Sequence, residues 1–188
     1  HINPFGGEDR IWFGPEGGQF SVFFPPGAPF DLEHWQTPPP MNWGPWDLAS
    51  RTRVEARFQK SFSLTNYSGT VFTVKAERAI RVLGRQELAR AFGMEPSSAY
   101  DVVAFESENR LINAGQAPWR PETGLLSIWV LGMFRPSPRT TVILPFEPGP
   151  ESERGPVVND AYFGKPPADR LAAWIASGNS QRSLRTAI

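Results

Sequence analysis

Apolar and polar residues alternate most regularly between positions 54 and 82. Val54, Ala56, Phe58, Phe62 and Leu64 fall on even positions, with Arg53, Glu55, Arg57, Gln59 and Ser61 between them. Phe72, Val74, Ala76, Ile80 and Val82 continue the even row. A period of two marks strands with one buried face. Asn66-Tyr67-Ser68-Gly69 supplies turn chemistry between the two runs. The pattern therefore predicts a long antiparallel hairpin. Lys60 and Arg78 interrupt its apolar face. The plain expectation for both is a bulge or a sheet end, with the aliphatic stem buried and the charge reaching water.

Weaker patterns flank the hairpin. Ile11-Trp12-Phe13 and Phe20-Ser21-Val22-Phe23-Phe24 read as two short strands about the turn Gly14-Pro15-Glu16-Gly17-Gly18. Residues 25–45 are so rich in proline that they predict a stiff, ordered loop. Positions 85–92 have helical spacing, with Gly93 as the stop. Tyr100 to Phe105 reads as a buried strand ending in Glu106-Ser107-Glu108-Asn109, and Arg110 to Asn113 as a second strand. Residues 125–134, 140–146 and 157–163 are further strand candidates, and 147–156 is loop chemistry. Residues 169–178 fit a short amphipathic helix with a glycine stop, followed by a polar end expected to fray.

Composition agrees with an all-β reading. Twenty prolines, 17 glycines and 13% aromatic residues in 188 suit short strands joined by rigid turns. Basic and acidic residues balance at 19 each, which offers no electrostatic footprint for nucleic acid. No apolar run approaches the roughly 18 residues of a membrane-spanning helix. Cysteine is absent, which removes disulfides, thiol nucleophiles and cysteine-ligated zinc. The chain opens on His1, so a processed, trimmed or partial chain is expected, and a sheet lacking strands would offer open edges for oligomers.

Several clusters carry candidate chemistry. Glu8, Asp9, Arg10 and Glu16 surround Trp12 in a glycine-rich stretch. An arginine fork with carboxylate acceptors is the inventory of a sugar site, and equally of a strand-end ion pair. Glu33-His34-Trp35 offers a general acid or a loop anchor beside an indole that could stack on a pyranose. Glu106 and Glu108 share one strand face, with Cβ atoms roughly 7 Å apart. They could act as acid and base, clamp a calcium ion, or end a solvated strand. Asn109 follows them, and Asn113 reads as a turn residue. Glu151, Glu153, Asn159, Asp160, Tyr162 and Lys165 form an oxygen-rich set that favours calcium over zinc, although Lys165 could simply pair with Asp160. Trp12, Trp35, Trp43 and Trp46 are stacking candidates, whereas Trp129 belongs to a core strand.

The blocks GGEDRIWFGPEGGQF, FDLEHW, LTNYSGT, VVAFESENRLINAG, TGLLSIWVLGMFRPSP and GPVVNDAYFGK together resemble a family of uncharacterised, often exported bacterial proteins. That family is of the galactose-mutarotase-like superfamily. The resemblance implies an antiparallel β-sandwich domain over residues 1–170, here a partial one, with one or two short helices and a divergent tail over 171–188. Aldose mutarotases hold sugar hydroxyls with an Asn-Arg pair on an early strand, and Asp9-Arg10 is similar to it. Their catalysis uses a glutamate base and histidines, where this chain has a single internal histidine, His34.

The resemblance implies a carbohydrate ligand and export; no cofactor is expected, and the oxygen-rich residues leave calcium as the alternative. The expected function is a sugar-binding domain. The alternatives are a sugar-active enzyme using His34, Glu106 and Glu108, or an assembly protein with aromatic contact loops. Glu8, Asp9, Arg10, Trp12, Glu33, Trp35, Asn109, Asp160 and Lys165 are the expected ligand contacts. The enzyme reading requires Arg10, His34 and one of the two glutamates to meet in one cleft.

Overall fold

The computed structural model describes residues 9–132, 141–146, 149–155, 171–175 and 182–187. Its strands are β1 (Arg10–Gly14), β2 (Asp47–Arg51), β3 (Glu55–Thr65), β4 (Val71–Val82), β5 (Phe105–Asn113), β6 (Ser127–Leu131), β7 (Thr141–Phe146), β8 (Leu171–Ile175) and β9 (Arg182–Ala187). The helices α1 (Pro39–Asn42), α2 (Arg85–Phe92) and α3 (Glu151–Arg154) are short. All pairings between these strands are antiparallel, so the fold class is all-β, as the alternation predicts. Two compact units divide the chain, residues 1–133 and 134–188.

In the first unit, β2, β3, β4 and β5 form one sheet in that order, and β1 pairs with β6. The predicted hairpin is β3–β4, in continuous register from Glu55↔Arg81 to Thr65↔Val71. Asn66 closes its turn: its backbone N–H donates to the Thr70 carbonyl, and its side-chain oxygen accepts from Thr70 N–H at 2.9 Å. Even positions of β3 and β4 face the core, where Leu64, Phe72, Val74 and Ala76 are buried. Phe13 of β1 reaches that face, its ring 5.6 Å from Phe62. α2 ends as predicted at Gly93, whose φ of 68° is left-handed backbone that only glycine adopts freely.

Three expectations for this unit fail. Residues 20–24 form no strand: Ser21 N–H donates to the Gly18 carbonyl, and Phe23 N–H to Ser21 Oγ. The segment's carbonyls accept from distant amides, Ser21 from Tyr67 N–H and Phe23 from Gln36 N–H, and it buries Val22, Phe23 and Phe24 as a loop, while β1 takes β6 as its partner. Tyr100 to Ala104 is not a buried strand either; Val103 is 90% exposed, and the strand begins at Phe105. Glu106 and Glu108 consequently lie inside β5, which runs unbroken into the segment expected as a second strand.

The second unit contains a three-stranded sheet in the order β7-β9-β8. Residues 171–175 are a strand rather than the expected helix, and 182–187 are paired on both sides rather than frayed. A five-residue apolar run is ambiguous between helix and strand, and ladder partners decide it. Residues 147–156 include the single turn of α3. The expected strand over 157–163 lies outside the described residues.

Candidate functional site

Alternation along β1 sends Ile11 and Phe13 to one side and Arg10 and Trp12 to the other. Asp9, just before the strand, turns to the inner face of the four-stranded sheet. There its carboxylate meets Arg78 of β4 at 2.7 Å, and its carbonyl accepts a second Arg78 hydrogen bond at 2.7 Å. Both side chains are nearly excluded from water, at 8% and 13% exposure. Arg78 therefore stands neither at a bulge nor at a sheet end. It sits in continuous register between Phe58 and Asn109, with a buried acid as its partner.

Lys60 corrects the same expectation. It too lies inside the regular ladder, opposite Ala76. Its ammonium donates to the carbonyls of Pro40, at 2.8 Å, and Trp43. Partial burial lowers its pKa from the ordinary lysine value. Lys60 thus ties the proline-rich segment, with α1 and its following tryptophan, to the inner face of the sheet.

Arg10 completes the arrangement. Its guanidinium donates to the Asn42 side-chain oxygen in α1 and lies over the Trp12 ring, 4.8 Å from the centroid. Burial lowers its pKa. Asp9, Arg10, Met41, Trp46, Phe58 and Arg78 line a cleft of about 310 Å³. Asp9 Oδ1 is a buried acceptor with no hydrogen-bond partner among the described residues. The cleft combines an acceptor oxygen, guanidinium donors and the indole of Trp46, a set suited to hydroxyl groups on a small ring.

The other predicted residues lie elsewhere. Trp12 is only 8% exposed. It packs with Phe23 and Trp35 at centroid distances of 5.7 and 6.1 Å, inside the core rather than as an open stacking face. Trp35 stacks on Phe23 and donates from Nε1 to Glu16 at 2.8 Å. Trp43 is exposed, and Trp129 packs against the core as expected. His34 lines neither this cleft nor the one described next; its Nδ1 sits 2.6 Å from Asp31 Oδ1, and that contact lowers the Asp31 pKa. Glu33 is exposed.

Glu106 and Glu108 are on the outer face of the sheet. Glu106 pairs with Arg81 at 2.7 Å, and Glu108 with Arg110 at 2.5 Å. Glu108, Arg57, Gln59, Glu77 and Arg110 line a separate hollow of about 160 Å³. Asn109 points the other way, inward beside Arg78, and donates to Ser107 Oγ at 3.2 Å. Asn113 makes the predicted turn contact, accepting from Gly115 N–H at 3.0 Å. Arg10 and the two glutamates therefore line different surfaces. Among the described residues no group of three or more acids or histidines could hold a metal ion. Glu8, Asn159, Asp160, Tyr162 and Lys165 lie outside those residues.

Sequence reasoning did not nominate Arg78, which lines the cleft, or Asn42 and Lys60, which anchor the proline-rich segment beside it. The two cations were visible as charges on an apolar row. Asn42 carried no signal, because its role depends on a four-residue helix reaching β1. No curated protein and no solved structure matches the chain. Residues 1–175 match DUF6786, a family of unknown function, and the chain belongs to that family.

Proposed function

We propose that the chain is a carbohydrate-binding domain of the galactose-mutarotase-like β-sandwich type, with the Asp9–Arg10–Arg78–Trp46 cleft as its site. The observation that carries this reading is the cleft's composition: an acid–arginine pair beside an indole, with Asp9 Oδ1 left as an acceptor. A sugar supplies what such a wall needs, hydroxyl donors for the carboxylate and a CH-rich ring face for Trp46. The Arg78 charge is already met by Asp9, which favours a neutral ligand. The cleft volume stands at the lower end of the about 300–1,000 Å³ of small-molecule sites, fitting one or two sugar rings. Binding is favoured over catalysis because His34, Glu106 and Glu108, the acid–base candidates, line other surfaces.

A thermal-shift screen against neutral mono- and oligosaccharides tests the proposal. A sugar at ten times its Kd adds about 1.4 kcal/mol of stability. For a chain of this length that is a rise of about 3–5 °C in Tm. Trp46→Ala and Arg10→Ala are expected to lose the shift, and Glu108→Ala to keep it. No shift with any sugar overturns the reading, and loss with Glu108→Ala moves the site to the outer face.

A further inference from the structure

The four-stranded sheet has two edges, and they differ in how they are protected. β2 is five residues long, follows Pro45 and changes register between Leu48 and Ser50. A short, bulged strand beside a proline is the usual defence against edge-to-edge pairing. β5 has none of these features. Its nine residues run in unbroken register with β4, from Phe105 opposite Val82 to Asn113 opposite Val74. It has no ladder partner on its far side among the described residues.

We propose that β5 is a self-association edge, at which two copies of this chain pair antiparallel with Asn109 opposite Asn109. The register follows from charge. With Asn109 at the centre, Glu108 faces Arg110 of the second copy, and Arg110 faces its Glu108. Both contacts repeat the opposite-charge pairing that these residues already make within the strand. Moving the centre to position 108 or 110 keeps each face matched but sets Glu108 against Glu108, or Arg110 against Arg110. Like charges directly opposite destabilise a strand pair. Charged side chains usually blunt an edge; the order Glu-Asn-Arg instead makes this one complementary to itself.

A second observation points to the same centre. Asn109 Oδ1 is buried and has no hydrogen-bond partner among the described residues. Opposite residues in an antiparallel pair have Cβ atoms about 4.5–5.5 Å apart. Two primary amides at that spacing complement each other, since each carries donor and acceptor. At the ends of the strand, Phe105 and Ile112 are 44% and 38% exposed. The same register lays Ile112 against the aliphatic stem of Glu106 of the second copy.

Sedimentation of the full chain over a concentration series tests the proposal. The wild type is expected to shift from one chain mass towards two as concentration rises. Glu108→Arg, which opposes Arg110 with like charge, is expected to remain a monomer with an unchanged far-UV circular dichroism spectrum. The double variant E108R/R110E restores both opposite-charge contacts and is expected to recover the dimer. Because the chain contains no cysteine, Asn109→Cys introduces a unique thiol at the two-fold centre. Under a copper(II)–phenanthroline oxidant it is expected to give a disulfide-linked dimer, whereas Ser107→Cys, which faces Leu111, is not. Four results each overturn the proposal: a wild type monomeric at every concentration, a Glu108→Arg dimer as stable as the wild type, no recovery in the double variant, or equal cross-linking at 107 and 109.

Discussion

Arg78 is an arginine in the row where Phe72, Val74 and Ala76 are buried, and only a matched partner makes that tolerable. Asp9 supplies the match from 69 residues away. Removing one member of a buried pair leaves the other uncompensated, at a cost of about 3–5 kcal/mol. Arg78→Met, which keeps the stem and removes the charge, is expected to lower stability by about 3 kcal/mol, the lower end because Asp9 keeps some contact with water. Urea unfolding measures this, and a loss below about 1 kcal/mol would place the pair in the solvated class. The charges at positions 60 and 78 were legible in the sequence as exceptions to a clean pattern. Their partners were not, because Asp9 and the carbonyls of Pro40 and Trp43 reach them only through tertiary contacts that no local period encodes.

Among the elements, those with strong local signals were legible in the sequence. The hairpin had both period and turn, and α2 had spacing and a glycine stop. Segments 20–24 and 100–104 are apolar without a ladder partner, and apolarity alone does not make a strand. At its start α2 depends on Glu87, whose carboxylate accepts from Gly84 N–H at 2.9 Å and pairs with Arg81. The Gly84 amide first, and Arg81 second, hold the Glu87 pKa below the usual 4.5. A depressed carboxylate contributes stability that is complete above its unfolded value and disappears as pH falls through its folded value. The start of α2 is therefore expected to fray on acidification below about pH 4.5, as a fall in amide protection, relative to the intrinsic exchange rate at each pH, at Gly84 and Leu88. Glu87→Gln keeps an acceptor but not the titration, so its exchange should show no such acid limb. An acid limb unchanged in that variant would assign the fraying to another group.

At the scale of the whole chain, the core and the cleft belong to the same unit. Ile11, Trp12, Phe13, Val22, Phe23, Phe24, Leu64 and Ala76 form one buried cluster, and among the described residues the partly buried hydrophobics packed against it lie within positions 35–131. Among the described residues, those that line the cleft fall within positions 9–78. Residues 134–188 have a sheet of their own, with β9 pairing both its neighbours inside that unit. A unit that contains its own core and satisfies its own ladders is the kind that unfolds as one cooperative block. A chain ending at residue 133 is therefore expected to keep the far-UV spectrum of the β1–β6 and β2–β5 sheets and to unfold in one transition. Its Tm should lie within a few degrees of the main transition of the full chain, about 2–4 °C corresponding to 1 kcal/mol at this size. Any sugar that stabilises the full chain should stabilise the shorter one equally, since none of the described cleft residues has been removed. Calorimetry of the two chains, with and without the sugar, makes the comparison. A shorter chain that melts without a cooperative transition would show that residues 134–188 complete the first unit's core. One that folds but loses the sugar response would show that they complete the site.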